Sequence, residues 1–457
     1  MKRAETSDGP TSDREANQAA NETPTARRRL LILALVFLIA LGVRLLNWRD
    51  AGNDALAVQT SVALNYKHLA ELLRTNGLTS LYDKSSTTSN PDLMGHPPGY
   101  PILLSLIYRI AGESAVSTQL LQITLDSASV AIIMLIAFEL FPAPVGIIGG
   151  LMAAFAPQLS WNSLTLLPDS LSSLPILLAL WLIARSRKTT RWHSAFIAGA
   201  LIGVSVWLRP NALLLAPFLS LVFLFISKRE RRLAAALALI AGALLVIAPL
   251  TIRNALVFGK FIPVSLGAGQ TLLEGLADYN SDRSLGLPAT DQELLRSEAE
   301  TFQRPDYADS LFTPDGIARD RARLARGISI IRAHPFWFFR VMLRRAASML
   351  RLERTPLRLS TTNAGLITRL LRLMQKLFIT AIFLPLVLLG TALLAYGREV
   401  QKLALLLVVP FYYFCTQSAL HTEYRYVLVI HYFLFLLAAF AVYSIGCKIL
   451  IARQMSS

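Results

Sequence analysis

The chain has 457 residues, which is long enough for about three ordinary soluble domains. Its composition excludes that class of protein, because 54% of the residues are hydrophobic, only 16% are charged and the mean hydropathy is +0.49. A soluble protein cannot bury so much apolar surface, and a transmembrane β-barrel lacks long uninterrupted apolar runs. The composition therefore predicts an all-α integral membrane protein. The net charge of +16 indicates cytoplasmic loops and contacts with membrane lipids, and no nucleic-acid partner is expected.

The first part of the chain is a polar segment followed by an apolar one. Residues 1–29 predict a disordered cytoplasmic tail, and the apolar run 30–46 follows three arginines. Because no small-residue cleavage site follows the run, an uncleaved first transmembrane helix is favoured over a signal peptide. Nine further apolar runs raise the expected total to about ten transmembrane helices: 114–140, 143–160, 169–185, 194–209, 211–227, 232–251, 375–396, 402–419 and 426–447.

The orientation follows from the distribution of basic residues. Lys and Arg cluster in alternate turns, at 185–191, 228–232, 398–402 and 448–453. Cytoplasmic loops are enriched in these residues, so the turns and the N-terminal tail are placed inside. The expected location is a bacterial inner membrane, with the functional face toward the periplasm.

This orientation leaves two long segments outside, 47–113 and 252–374. The first contains a short apolar stretch, 97–111, which predicts either an interfacial helix or a re-entrant one. The second is expected to be mainly helical. Its arginines and its aromatic cluster at 336–339 are typical of a membrane surface and suit the gathering of an anionic lipid. The resulting organisation is a tail (1–29), an N-terminal transmembrane module (30–251), an extracytoplasmic region (252–374) and C-terminal transmembrane helices (375–457).

Polar residues from separate segments share the outer ends of the predicted helices. They are Asp54, His96, Asp169, Arg209, Arg253, Glu423 and Arg425. Carboxylates suit general acid–base chemistry, and arginine suits phosphate binding. Structural roles are also open: Arg209 at a helix end can reach lipid headgroups, and Asp169 can cap the helix that it begins. Asp126, inside a span, is either functional or hydrogen-bonded to Gln119 and Gln122.

Four short segments at these outer ends carry a family resemblance. They are His96-Pro97-Pro98-Gly99-Tyr100-Pro101, Leu208-Arg209-Pro210-Asn211, Pro249-Leu250-Thr251-Ile252-Arg253-Asn254 and Glu423-Tyr424-Arg425-Tyr426. In this order they resemble the GT-C membrane glycosyltransferases, in the branch of the protein O-mannosyltransferases and lipid A aminoarabinose transferases. The resemblance covers about residues 30–447.

The resemblance implies an inverting glycosyltransferase. The enzyme would move a sugar from a polyprenyl-phosphate donor to a hydroxyl group of a glycan, lipid or protein acceptor. Asp54 takes the place of the family's general base, and Asp169 stands where the family usually carries a glutamate. Arg253 and Arg425 are the candidates for binding the donor phosphate, together with Arg209. Four further residues are expected to line the substrate site: His96, Tyr100, Glu423 and Tyr426.

Two other functions stay open for the same chain. A lipid or polysaccharide transporter or flippase is one, with the intramembrane Asp126 as its main support. A catalytically inactive relative is the other, because Asp54 lies twelve residues before Tyr66, whereas the family's aspartate lies only a few residues before a tyrosine. The sequence contains no metal-ligand spacing, and no cofactor is expected. A divalent cation shared by Asp54 and Asp169 stays an open alternative.

Overall fold

The computed structural model describes residues 26–353 and 366–456, apart from 59, 85–91, 188, 190 and 282. Across these residues the chain is helical and contains no strand, so the predicted all-α class is confirmed. The expected tail lies outside the described residues up to position 25, and its last four residues open the first helix.

Twenty α-helices follow one another along the described chain. The N-terminal twelve are α1 (Ala26–Leu56), α2 (Thr60–Asn76), α3 (Asp92–Gly95), α4 (Gly99–Ala111), α5 (Ala115–Leu140), α6 (Ala143–Phe155), α7 (Pro157–Leu164), α8 (Asp169–Ser186), α9 (Trp192–Leu208), α10 (Leu215–Ser220), α11 (Phe223–Ile226) and α12 (Arg229–Phe258). The outer region contains α13 (Ala268–Ala277), α14 (Asp291–Thr301), α15 (Gly316–Ala333) and α16 (Pro335–Met349). The C-terminal part contains α17 (Leu366–Gln375), α18 (Thr380–Tyr396), α19 (Val400–Thr416) and α20 (Leu428–Ser456).

The apolar helices make this a multi-pass membrane protein. Six helical segments in the described chain are long and apolar enough to cross a bilayer: α1, α5, α8, α12, Val400–Ala419 and Tyr424–Gln454. Two bent pairs raise the number to as many as eight, because α6 with α7 and α17 with α18 pass the same test at bends of 51° and 58°. The apolar segments Trp192–Leu208 and Pro210–Ile226 are shorter, so the count of ten is not confirmed.

The ends of two helices differ from the sequence prediction. Helix α1 continues past the apolar run to Leu56, so Asp54 lies on its last turn and not in a loop. A side-chain amide holds this polar extension, because Gln119 Nε2 donates to the Gly52 carbonyl (3.2 Å). Helix α12 likewise runs past position 251 and ends at Phe258. Gly259 follows it with a left-handed φ of 65°, which is typical of a helix C-terminus.

The spans share one large hydrophobic core, and the outer segments have smaller cores of their own. Helices α9 and α12 approach each other closely. A methyl group on Gly199 would overlap the carbonyl of Leu239, and one on Gly242 would overlap the carbonyl of Phe196. Small residues permit such backbone contact between membrane helices. The contact holds the middle of α9 against α12, and α9 then leads into Arg209.

An ion pair crosses the interior of the bundle. Arg44 Nε donates to Asp126 Oδ2 at 2.6 Å, and the Tyr432 hydroxyl donates to Asp126 Oδ1 at 3.1 Å. The expectation that Gln119 and Gln122 hydrogen-bond to Asp126 is therefore wrong. Both amides instead face the outer side, where they bond to carbonyl oxygens at the end of α7 and just beyond it.

Candidate functional site

The centre of the site is an ion pair between the first turn of α8 and the residue that follows α9. Arg209 Nη2 lies 2.6 Å from Asp169 Oδ2, and the Asp169 side chain is 1% exposed. Asp169 does not cap its helix, since Pro168 occupies the N-cap position and makes no side-chain capping bond. Arg209 is only 13% exposed and points into the protein, not toward headgroups. The pair therefore holds a guanidinium group at the outer end of the bundle.

A second arginine comes from the turn before α20. The guanidinium carbons of Arg209 and Arg425 lie 4.8 and 5.1 Å from the centre of the Tyr426 ring. Glu423 Oε2 lies 2.8 Å from Arg425 Nε, and Asn211 Nδ2 donates to the Tyr426 carbonyl at 3.4 Å. One aromatic ring thus supports two cations, each with its own carboxylate partner.

Several polar atoms at this centre are buried without a hydrogen-bond partner among the described residues. They are Asp169 Oδ1, Arg209 Nε, Arg425 Nη1 and the Tyr66 hydroxyl. Buried polar groups in folded proteins are nearly always satisfied, and an unsatisfied group costs about 1–3 kcal/mol. The combination of spare N–H donors and a spare carboxylate oxygen suits a ligand that carries both an anionic group and hydroxyls.

His96 adds a neutral polar group beside these cations. Its ring centroid lies 4.9 Å from that of Tyr66. Burial, followed by the positive charges of Arg209 and Arg425, lowers the pKa of His96 to about 4. The imidazole is therefore uncharged at neutral pH. Burial raises the pKa of Tyr66 to about 12, so its hydroxyl stays protonated and is available as a donor.

Tyr100 ties the first outer segment to the spans. Its buried hydroxyl donates to Gln122 Oε1 at 2.7 Å, and Gln122 Nε2 donates to the Thr165 carbonyl at 2.6 Å. Tyr100 thus positions the wall of the site, because its hydroxyl hydrogen is already used. The glycine at position 99 of the same motif permits a close backbone contact. A methyl group there would overlap the carbonyl of Trp207, which lies two residues before Arg209.

The hydrogen bonds of Arg253 among the described residues do not involve Arg209 or Arg425. Its Nε donates to the Leu81 carbonyl (2.7 Å), and its Nη1 donates to the Leu93 carbonyl (3.2 Å) and to Asn254 Oδ1 (2.8 Å). Asn254 Nδ2 in turn holds the Ile262 carbonyl at 2.9 Å. These bonds tie α12 to the first outer segment. Arg253 Nη2 is buried and has no partner in the described chain.

Asp54 is exposed on the last turn of α1. Gln119 Nε2 connects this turn to the end of α7, because it donates to both the Gly52 carbonyl (3.2 Å) and the Leu164 carbonyl (2.8 Å). Leu164 lies five residues before Asp169 in the chain. Gln119 thus links the turn that carries Asp54 to the segment that leads to Asp169, and no direct contact between the two aspartates is seen among the described residues.

The outer region forms hydrogen bonds with the segment that leads to Glu423 and Arg425. Arg345 Nη1 donates to the Ser418 carbonyl at 2.8 Å, and its Nη2 donates to the Gly275 carbonyl. The His421 backbone N–H donates to the Thr271 carbonyl at 2.8 Å. These contacts position the chain immediately before the arginine motif.

Three of the outer arginines expected to gather lipid are internal instead. Arg319 Nε donates to Glu298 Oε2 at 2.9 Å, and Arg323 Nε donates to Glu298 Oε1 at 2.6 Å. Arg345 is buried as described above. Exposed arginines of this region include Arg321, Arg332, Arg340, Arg344 and Arg351.

Sequence reasoning missed two residues, and a signal existed for one of them. Arg44 is a charge inside the first predicted span, and an intramembrane cation calls for an intramembrane acid, which Asp126 supplies. Asp50 lies one helical turn before Asp54 and is paired with Arg372 (3.0 Å), a contact between distant segments that has no local signature. As for metals, the described residues bring together no group of three or more His, Cys, Asp or Glu side chains that could hold an ion.

Residues 95–252 match the family model of the dolichyl-phosphate-mannose-protein mannosyltransferases. No match was found among curated protein sequences. The oligosaccharyltransferase AglB from Archaeoglobus fulgidus, solved with an inhibitory peptide and a dolichol-phosphate, superposes with a TM-score of 0.54 at 15% identity, over 93% of this chain and 51% of that one. Its apo form gives a TM-score of 0.55 at 15% identity, over 94% and 52%. This chain thus spans about half the length of the archaeal enzyme.

ArnT from Cupriavidus metallidurans, bound to undecaprenyl phosphate, superposes with a TM-score of only 0.36 at 15% identity, over 92% of this chain and 78% of that one, so it adds nothing to the fold assignment. The matched segment contains His96, Asp169 and Arg209, three residues of the site described above. The chain therefore shares the fold of the archaeal oligosaccharyltransferase, and its residues 95–252 resemble the mannosyltransferase family.

Proposed function

We propose that the protein is an inverting glycosyltransferase of a bacterial inner membrane. It moves a sugar from a polyprenyl-phosphate donor to a hydroxyl acceptor at the periplasmic face. The family that the matched segment resembles is that of the dolichyl-phosphate-mannose-protein mannosyltransferases, and the archaeal structural relative was solved with a dolichol-phosphate. The orientation rests on the basic residues of the inner turns.

The observation that carries the proposal is the pair of guanidinium groups around Tyr426. Arg209 and Arg425 each keep a buried N–H without a partner among the described residues. A phosphate oxygen satisfies such donors, and arginine binds phosphate with geometric specificity. The neutral His96 adds a hydrogen-bonding group without adding charge. The site thus suits a phosphodiester whose leaving phosphate requires charge stabilisation more than it requires a proton.

The two aspartates take different roles in this proposal. Asp54 is exposed on the last turn of α1, where an acceptor hydroxyl can reach it, and it acts as the general base. Asp169 is buried and paired, so its Oδ2 orients Arg209, while its free Oδ1 accepts a hydrogen bond from a sugar hydroxyl. Proton removal by Asp54 frees the acceptor oxygen to attack C1 as the bond to phosphate breaks, which inverts the configuration.

Transfer in proteoliposomes tests the proposal. Purified protein is supplied with a panel of undecaprenyl-phosphate hexoses and pentoses and with membrane extract as acceptor. Asp54→Asn should lower transfer by about 10²–10⁴-fold, the usual contribution of a general base, while undecaprenyl phosphate still binds. Arg425→Gln should weaken the binding of undecaprenyl phosphate. The exposed Arg321→Gln is the matched control and should change neither quantity.

Two outcomes would refute this assignment. If Asp54→Asn transfers sugar at the wild-type rate, another group is the base. If undecaprenyl phosphate binds Arg425→Gln as tightly as wild type, the phosphate site lies elsewhere. Comparison of envelope glycans by mass spectrometry, with and without the gene, identifies the sugar and the acceptor.

The transporter alternative loses its main support. Asp126 is paired with Arg44 and accepts the Tyr432 hydroxyl, and its side chain is 2% exposed. A midplane carboxylate that serves transport must be reachable by its substrate. This carboxylate is instead enclosed by its own partners, which is typical of a structural pair.

A further inference from the structure

Helix α17 has an apolar face that the described part of the chain leaves uncovered. Its exposed large side chains, with the one that follows the helix, are Leu366 (72%), Ile367 (70%), Leu370 (53%), Leu373 (63%), Met374 (44%) and Leu377 (56%). Spacings of three and four residues place them on one side of the helix. The opposite side packs inward, with Thr368, Leu371 and Gln375 buried. A helix of this pattern, continuous with a transmembrane helix, requires an apolar surface to cover it.

The depth of α17 follows from its contact with α1. Helix α1 has 31 residues, and three of its first four are Arg27, Arg28 and Arg29, at the predicted inner boundary. About 20 residues cross the hydrocarbon core, so the outer boundary lies near Asp50. Asp50 Oδ2 accepts from Arg372 Nη2 at 3.0 Å. Helix α17 therefore lies at the outer boundary of the membrane.

The bend after α17 supports the same position. Helices α17 and α18 meet at 58°, and α17 has only ten residues. A helix this short cannot cross the bilayer alone, and the bend turns it away from the direction of the span. Its polar contacts point toward α1, because Arg49 Nη2 also donates to Thr368 Oγ1 at 3.3 Å. The apolar face consequently faces away from α1.

We propose that α17 rests in the outer leaflet of the bilayer and holds the outer end of α1 through the Arg372–Asp50 ion pair. Asp54 lies four residues after Asp50, on the same face of α1, so the pair also orients the turn that carries Asp54. Arg372 and Asp50 are 13% and 15% exposed, and such partly buried pairs are screened little by solvent. Arg372 is thus a positioning residue. This second part rests on the proposed role of Asp54, whereas the membrane contact does not.

The membrane contact is tested by fluorescence quenching in proteoliposomes. A cysteine is placed at Leu370 in a chain whose Cys415 and Cys447 are replaced by serine, and it is labelled with a polarity-sensitive dye. Lipids with a quencher at a shallow acyl position should quench this label more than twofold. A label at the exposed Arg321 of the outer region should respond to an aqueous quencher only. If lipid quenchers leave the Leu370 label unaffected, a second copy or another protein covers the face and the proposal is wrong.

The coupling to α1 is tested without relying on catalysis. In an Asp54→Cys chain, the rate of reaction with a membrane-impermeant thiol reagent reports the position of this turn. Arg372→Gln should change that rate at least threefold. Lys376→Gln, an exposed basic residue just beyond the same helix, is the matched control and should not change it. An unchanged rate in Arg372→Gln would overturn the coupling, whatever the outcome of the transfer assays.

A second measurement separates positioning from simple destabilisation. With Asp54 intact, Arg372→Gln should lower kcat for transfer about tenfold and leave the binding of undecaprenyl phosphate unchanged, and Arg372→Lys should restore most of the rate. Loss of donor binding in parallel with kcat would contradict a positioning role. If wild type shows no transfer, the proposed function fails, but the quenching and thiol results still decide the place of α17.

Discussion

The Asp169–Arg209 pair allows stability and function to be separated by a double-mutant cycle. Breaking a buried ion pair by removal of one partner costs about 3–5 kcal/mol, because a charge is left buried without compensation. The two substitutions should differ in cost. Arg209→Gln leaves the carboxylate of Asp169, 1% exposed, without its only side-chain partner among the described residues, so the loss of stability should lie near the upper end of that range. Asp169→Asn leaves Arg209 beside the Tyr426 ring, 4.8 Å away, and should cost less.

The double variant Asp169→Asn/Arg209→Gln removes both charges together. It should recover about 2–3 kcal/mol relative to the sum of the single losses, since no uncompensated charge stays buried. Sugar transfer should not recover, because the double variant lacks the guanidinium group that meets the donor phosphate. Stability is followed by the thermal unfolding of the detergent-solubilised protein through tryptophan fluorescence, and undecaprenyl phosphate binding is measured on the same samples.

Two results would contradict the reasoning behind this cycle. Additive stability losses would mean that Asp169 and Arg209 do not interact in the protein, against the 2.6 Å contact. Recovery of transfer together with stability would mean that the pair is structural only, and the phosphate site would then rest on Arg425 alone.

Three further outcomes are expected. Gly99→Ala should destabilise the protein by about 1–3 kcal/mol and slow transfer, because the added methyl overlaps the Trp207 carbonyl; unfolding and transfer assays check both. The hydrogen bond that the His421 ring donates to Asp278 raises the pKa of His421, so their pair stabilises the fold fully below about pH 6.5 and is lost as the pH rises through the higher folded pKa. The unfolding temperature of wild type, but not of His421→Gln, should fall across that range. Tyr426→Leu should weaken undecaprenyl phosphate binding about tenfold through two lost cation–π contacts, whereas Tyr426→Phe should retain it.

Hydropathy and charge predicted the fold class because both are local properties of the chain. The helical, multi-pass architecture and most span positions agree with the structure, as apolar runs of about 20 residues have few alternatives. Helix ends were predicted less well. The polar turn from Trp48 to Leu56 stays helical because Gln119, far away in sequence, accepts from Trp48 Nε1 at 2.9 Å and donates to the Gly52 carbonyl. No local pattern contains that information.

The sequence predicted which residues belong to the site better than it predicted which of them form pairs. The sequence placed Asp169, Arg209 and Arg425 at one depth. The structure brings the two arginines to a single ring and pairs Asp169 with Arg209. The sequence did not reveal which acidic side chain pairs with which basic one, because such pairs form between helices that are distant in the chain. Arg253 illustrates this: its position at a helix end suggested a phosphate ligand, yet its donors hold carbonyl groups of the first outer segment.

The four segments of family resemblance thus perform different physical tasks at one place. Arg209 and Arg425 supply charge, whereas Gly99 permits the backbone contact that brings His96 to them. Arg253 secures the first outer segment from the other side. An anion placed between Arg209 and Arg425 is enclosed only if the contacts made by Gly99 and Arg253 are intact. Loss of the contacts of Gly99 or Arg253 should therefore weaken binding of the lipid-phosphate donor although both arginines of the site are still present. Loss of Arg209 or Arg425 should weaken the same binding although the surrounding segments keep their positions.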